Sequence, residues 1–276
     1  SMKTSGAETL SISANIFVGQ TEAPILIRPY IKNMTTSELM AVMTGGFATV
    51  AGSVLALYVL WLDKIPGIAG HMLAASIMSA PASLVIAKLI YPETKKTNSL
   101  DELDLHIEKN TANAMDALGN GATQGLKLAA NIGAMLIAFI SILSMINFTL
   151  EYFLSIKLQE ILGIIFSPLA WTMGIPWEEA DIVGRLMGEK IVLTELIAYG
   201  SLGDLIKNNL ISERSAIISS YALCGFANFG SIGIQLGGIG SMAPERRNVL
   251  SKIVFKAMIG GALASWLTAT IAGILI

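Results

Sequence analysis

The chain has 276 residues, of which 53% are hydrophobic and only 14% charged, with a net charge of −2 and a mean hydropathy of +0.65. A soluble globular domain carries about 25% charged residues, so this composition points to a polytopic membrane protein, and without a basic tract it argues against a nucleic-acid partner. The single cysteine, Cys224, excludes an intrachain disulfide, and His71 and His106 stand too far apart to make a metal-binding motif.

The chain opens Ser-Met and soon carries Lys3 and Glu8, with no cleavage site of small residues, so its start does not read as a signal peptide. Residues 7–18 are apolar or small apart from Glu8 and Asn15, give way to Gly19-Gln20-Thr21-Glu22-Ala23-Pro24, and resume as an apolar run over 25–31. A membrane-crossing helix takes about 20 residues. Two shorter apolar pieces meeting at a polar tip therefore predict a re-entrant hairpin over 1–34. Residues 39–62 are uncharged but interrupted by Thr44-Gly45-Gly46 and the residues up to Ser53, which predicts a broken transmembrane helix over 35–62. A transmembrane helix is expected over 63–90, where the apolar run holds only His71 and Lys88. A polar connector follows over 91–120. In it Leu100, Leu103 and Ile107 have the spacing of an amphipathic interfacial helix, a solvated loop being the alternative.

The uncharged run 128–150 predicts a long transmembrane helix over 121–160. Two short apolar stretches, 161–176 and 191–206 with Glu195 and Asp204 in the latter, predict an apolar segment and a second re-entrant hairpin over 161–212. Residues 215–243 are uncharged yet rich in Gly, Asn, Ser and Gln, so a second broken helix is expected over 213–245, followed by a C-terminal transmembrane helix over 246–276. Cations at Lys88, Lys95 and Lys96, and at Arg246, Arg247, Lys252 and Lys256, would face the cytoplasm by the positive-inside rule.

The two interruptions resemble each other: Gly-Phe-Ala-Thr at 46–49 and Gly-Phe-Ala-Asn at 225–228. Each follows a short apolar segment with an intramembrane carboxylate, Glu22 or Glu195. The expected fold is therefore all-α, with two re-entrant helical hairpins and two broken transmembrane helices in an inverted repeat, plus further spanning helices. Repeats of this kind place a transporter's site near the bilayer midplane. A carboxylate at that depth costs about 2.5 kcal/mol or more, and opened backbone is tolerated there only beside protein or a cavity. Glu22, Glu195 and the two breaks thus predict one polar cavity.

Two other functions use the same pieces. A passive channel could line a pore with carbonyls or acids, although the twofold hairpin repeat fits alternating access better. An intramembrane enzyme could use Glu22 and Glu195 as an acid/base pair, but the sequence supplies no nucleophile or metal set. Structural alternatives stand beside the functional ones. Glu22 could pair with Arg28 and Glu195 with Lys190, Asn15 could cap a helix, and Asn228 and Ser231 could bond between helices. Gln235 reads as interhelical glue, and Gly237-Gly238-Ile239-Gly240 and Gly260-Gly261 as points of close packing.

Three motifs in order carry a resemblance: Asn15-Ile-Phe-Val-Gly-Gln-Thr-Glu-Ala-Pro24, Gly188-Glu-Lys-x3-Thr-Glu-Leu-Ile-Ala-Tyr199, and Cys224-Gly-Phe-Ala-Asn-Phe-Gly-Ser231. Together they resemble the concentrative nucleoside transporter family, from about residue 4 to the C-terminus. The family's upstream helices have no counterpart, which implies a piece of a longer chain. The resemblance implies sodium- or proton-coupled uptake of nucleosides of the uridine, cytidine or adenosine type, by elevator-like alternating access. It further implies a homotrimer embedded in membrane lipid, most readily a bacterial inner membrane, with no cofactor beyond the coupling ion.

Residue by residue, Gln20, Thr21 and Glu22 match positions that recognise the base, Glu22 through water. Glu195, Asn228 and Ser231 match the ribose-hydroxyl positions, and Phe226 an apolar contact to the base. Asn15, Thr49 and the carbonyls of Val18 and Val50 match the sodium site. Thr49 stands where Ser is expected, and Thr194-Glu195-Leu196 where many members have Asn-Glu-Phe. The chemistry agrees: a carboxylate beside an amide and a hydroxyl can clamp ribose hydroxyls, and a hard cation takes oxygen ligands.

Overall fold

The structure, a computed structural model, describes residues 4–95 and 113–276, and every regular element among them is helical. The expected interfacial helix around Leu100, Leu103 and Ile107, together with Lys96 and His106, lies outside the described residues.

Helix α1 (Gly6–Ala14) starts at a capping box: the Ser5 amide donates to Glu8 Oε1 at 2.7 Å while Ser5 Oγ accepts from the Glu8 amide. The chain then turns through residues 15–22 and returns as two single turns, α2 (Ala23–Leu26) and α3 (Arg28–Ile31). Pro24 and Pro29 open these turns, and neither can continue a donor ladder. Much later, α9 (Trp177–Val192) and α10 (Glu195–Lys207) are separated only by Leu193 and Thr194.

Between and after these pieces lie two interrupted helices. Helix α4 (Thr36–Ala48) stops, the backbone is extended at Thr49 and Ala51, and α5 (Gly52–Trp61) begins. Helix α11 (Glu213–Leu223) stops likewise, and α12 (Phe229–Met242) begins after Asn228. Gly225, in the second interruption, has φ +110°, and a Cβ there would fall 2.6 Å from the Phe47 carbonyl oxygen and 2.7 Å from that of Ala48. The two Gly-Phe-Ala segments thus meet backbone to backbone, a contact that glycine alone permits.

The remaining helices are α6 (Ile68–Ile90), α7 (Ala114–Leu154), α8 (Leu158–Thr172) and α13 (Arg247–Leu275), the last entered through a 3₁₀ turn, Pro244–Arg246. Four stretches are long and apolar enough to cross a membrane: Thr36–Trp61, Ile68–Ile90, Ala114–Leu154 and Pro244–Leu275. Helix α7 occupies different bounds from the expected 121–160. Asn113 caps it early, its side chain accepting from the Asp116 amide at 2.9 Å, and Ser155 at φ 54° ends it. Helix α8 lies against α9, where a Cβ at Gly188 would fall 2.3 Å from the Gln159 carbonyl oxygen, a small-residue contact of the kind that holds membrane helices together.

Two large apolar clusters, with a small third of Ala48, Ala82 and Ala264, fill the interior. One gathers Tyr58, Met72, Tyr199 and Ile218 from α5, α6, α10 and α11, and the other Ile12, Met43, Ile239 and Leu250 from α1, α4, α12 and α13. Helix α7 contributes no buried residue.

Hydrogen bonds define the two ends of the bundle. At one end Arg246 donates to the carbonyls of Lys32 (3.1 Å) and Met34 (2.7 Å), and Thr35 donates to Glu93 (2.5 Å). There too, buried Lys88 pairs with Glu8 at 2.8 Å and donates to Ser37 Oγ. At the other end Ser212 donates to Glu179 through its amide (3.0 Å) and hydroxyl (2.8 Å), Lys64 donates to the Lys207 carbonyl, and Arg214 donates to the carbonyls of Gly273 and Ile276.

Candidate functional site

Glu195 is the first residue of α10 and is only 6% exposed. Its carboxylate lies at the positive end of that helix dipole. Two neutral donors reach it: Tyr58 Oη on α5 at 3.3 Å to Oε1, and Asn228 Nδ2 at 2.8 Å to Oε2. Tyr58 is held by stacking on Tyr199, ring centroids 4.0 Å apart, and the Tyr199 hydroxyl donates to the Ser220 carbonyl at 2.6 Å. Each carboxylate oxygen therefore keeps lone pairs for further donors.

Asn228 stands at the start of a helix rather than on its face. It is the N-cap of α12, and its Oδ1 accepts from the Ser231 amide at 2.7 Å while its Nδ2 reaches Glu195. One amide thus starts a helix and touches the second hairpin tip. The alternative pairing of Glu195 with Lys190 is not formed: Lys190, wholly buried, donates to the carbonyls of Ala222 (3.0 Å) and Cys224 (3.2 Å). A cation there satisfies the open carbonyl end of α11.

The first hairpin tip reaches the same helix start. Gln20 Nε2 donates to Ser231 Oγ at 3.1 Å, and its Oε1 accepts from Gln235 Nε2 at 3.1 Å. Gln235 also donates to the Met43 carbonyl at 3.1 Å, so it joins the tip, α4 and α12. Gln235 joins helices as the sequence predicts, and it also holds the tip residue Gln20. Its signal was the spacing, four residues after Ser231 on one helix face. Tyr58 carried no signal of its role.

Thr21 is buried and donates to Glu22 Oε2 at 2.9 Å, while Glu22 is exposed and folds over Gly19, where a Cβ would fall 2.3 Å from Oε2. Arg28 donates to Gln124 Oε1 at 2.6 Å, and among the described residues no ion pair joins it to Glu22. Phe226 is half-buried against the cluster around Tyr58 and Tyr199. The structure therefore brings Gln20, Ser231, Asn228 and Glu195 into one chain of contacts. Thr21 and Glu22 adjoin that chain with their side chains bonded to each other, while the Phe226 carbonyl accepts from the Asn228 amide at 2.9 Å.

The oxygens expected to hold the ion lie behind the first tip. Asn15, the C-cap of α1, is fully buried. Its Nδ2 donates to the Ser11 carbonyl at 3.2 Å, and its Oδ1 has no donor. Thr49 Oγ1 donates to the Gly45 carbonyl at 3.0 Å and keeps its lone pairs. The tip is strapped to the first helix break by the Gly52 amide donating to the Phe17 carbonyl (3.0 Å), and to α6 by Ser76 Oγ donating to the Ile16 carbonyl (3.2 Å). Among the described residues no hydrogen bond ends on the carbonyls of Val18 or Val50. An orphaned buried amide oxygen, on a tip strapped to the helix break that carries Thr49, has the chemistry to receive a hard cation.

Comparison with known proteins adds to this geometry. Residues 71–273 match the family described as "Na+ dependent nucleoside transporter C-terminus", and residues 1–64 match one described as "Nucleoside recognition". The nucleoside permease NupC of Helicobacter pylori is 43% identical over 99% of this chain and 66% of its own length. Sodium/nucleoside cotransporter 1 of Mus musculus is 43% identical over 99% of this chain and 45% of its own. Two structures of CNTnw also match. One, in an inward-facing substrate-bound state, has 44% identity and a TM-score of 0.79 over 98% of this chain and 65% of that one. The other, a doubly substituted form in an outward-facing state, has 43% identity and a TM-score of 0.87 over 99% of this chain and 66% of that one. The chain thus spans less than two thirds of each of these relatives.

Proposed function

The chain belongs to the Na+-dependent nucleoside transporter family, and from that premise we propose that it forms the transport core of a cation-coupled nucleoside symporter working by alternating access in a bacterial plasma membrane. The observation that carries this reading is the convergence of two hairpin tips on one helix start, with Gln20 on Ser231 and Glu195 on Asn228.

Glu195 accepts from the ribose hydroxyls, with Asn228 and Ser231 beside it. Gln20, Thr21 and Glu22 meet the base, and Phe226 lies against its apolar face. Sodium is the coupling ion, received by Asn15, Thr49 and the carbonyls of Val18 and Val50; the unpartnered Asn15 oxygen supports this choice over a proton. The same turn that holds the ion carries Gln20, so ion binding orders the segment that grips the substrate, a route to coupling. Assembly as a homotrimer, which the family resemblance implies, belongs to the same proposal.

The test is uptake of labelled uridine into proteoliposomes under a sodium gradient, a proton gradient or neither. Sodium-driven uptake that disappears in Glu195→Ala is the expected result. Uptake indifferent to both gradients would mark a passive channel instead.

A further inference from the structure

A crevice bounded by the first hairpin, α7 and the end of α12 takes no part in the roles above. It encloses about 590 Å³, and Arg28 and Lys127 line it together with Gln124, Asn131 and Ser241. A second hollow of about 260 Å³ continues it along α7 and α12, shares Asn131 and Ser241, and reaches Arg247. Among the described residues no carboxylate lines either hollow, and no ion pair holds any of the three cations. Arg28 spends a single N–H on Gln124, which leaves most of its guanidinium donors available.

Uncompensated cations at the end of a membrane bundle are where anionic headgroups gather. Around this crevice lie exposed apolar side chains: Ile25 and Leu26 on the hairpin and Leu126 on α7, the last 73% exposed. An inorganic anion has no use for such a rim, whereas an amphiphile has. We propose that this crevice binds the phosphate of an anionic phospholipid, its acyl chains lying along the exposed apolar side chains of the hairpin and α7. Arg28 and Lys127 take the phosphodiester oxygens, and Arg247 closes the far end. Because one wall is the hairpin that carries Gln20 and the other is α7, a bound headgroup bridges the two.

The experiment measures lipid retained through size-exclusion chromatography, by mass spectrometry, and the melting temperature of the purified protein. The probes are phosphatidylglycerol, phosphatidylcholine with the same acyl chains, and sn-glycerol 3-phosphate alone. Phosphatidylglycerol should be retained and raise the melting temperature, and the other two should do neither. Combining Arg28→Gln, Lys127→Gln and Arg247→Gln should lower its retention by about tenfold or more, while Lys64→Gln at the opposite end should leave it unchanged. Should the triple variant fail to fold, Lys127→Glu, at an exposed position on α7, should by itself reduce retention. Equal retention of phosphatidylcholine, which has the same phosphodiester but no net charge, would show that the site does not select an anionic lipid. An equal melting shift from glycerol phosphate would make it a soluble-anion site. Full retention in the charge variants would place the lipid elsewhere. Each of these three results overturns the proposal.

Discussion

Asn228 illustrates how much one side chain does in this site, and why the sequence exposes only part of it. An amide inside an apolar segment announces itself as polar at depth. The sequence does not say that its oxygen begins α12 while its nitrogen holds Glu195. The same limit hides Tyr58 and Gln235, whose partners Glu195 and Gln20 lie 137 and 215 positions away. Glu195 stood out because a carboxylate at membrane depth demands partners, whereas Gln20 and Ser231 were singled out through the family resemblance. Two substitutions separate the tasks of Asn228. Asn228→Ser keeps a capping oxygen and loses the reach to Glu195. Asn228→Asp also keeps a cap but sets a second carboxylate against Glu195. A hydrogen bond to a charged group contributes about 1.5–3 kcal/mol, so the Ser variant should bind uridine about ten- to a hundredfold more weakly. The Asp variant should be weaker still, through like-charge repulsion. Equilibrium binding by calorimetry checks the order, and equal affinities for the two variants would remove Glu195 from the account.

At the scale of elements, the helix interruptions were visible because Gly-Phe-Ala occurs twice in runs otherwise long enough to span. Their mutual contact was not visible, since backbone meeting backbone leaves no trace in hydropathy. Nor was the shape of the first hairpin, whose return arm is two single turns set by Pro24 and Pro29. The bounds of α7 depended on a single capping side chain, Asn113. Gly225 tests the contact between the interruptions. Alanine there must adopt a positive φ, at about 1–2 kcal/mol, and must place a Cβ 2.6 Å from the Phe47 carbonyl oxygen. Gly225→Ala should therefore lower the melting temperature in detergent markedly. Gly119→Ala is the control, because Gly119 lies in α7 with nothing within 4 Å of its added Cβ. Helix propensity there favours alanine by about 0.8–1 kcal/mol, so this variant should melt at or slightly above the parent temperature. If both variants melted alike, the close approach of α4 to the second interruption would be wrong.

Over the whole molecule, charge is divided unevenly between the two ends. The end joined by Arg246, Met34 and Thr35 carries Arg28, Lys32, Lys127, Arg246 and Arg247, with Lys88 paired to Glu8 below. The opposite end carries Asp63, Glu178, Glu179 and Glu213 alongside Lys64, Lys207 and Arg214. By the positive-inside rule the Lys and Arg excess of the first end predicts a cytoplasmic position for it. The first hairpin has its base at that end, near Lys88 and Arg28, and the second has its base at the other, near Glu179 and Lys207. The two tips thus approach Asn228 and Ser231 from opposite ends of the bundle, the arrangement alternating access requires. Cys224 is fully buried, so a single introduced cysteine reports cleanly on sidedness. Asn208→Cys, at the exposed end of α10, should react with a membrane-impermeant maleimide on intact spheroplasts. Asn33→Cys, exposed in the turn beside Lys32, should react only after lysis. The reverse pattern would turn the molecule over, giving the first hairpin to the outer face and moving the cationic crevice out of the cytoplasmic leaflet with it.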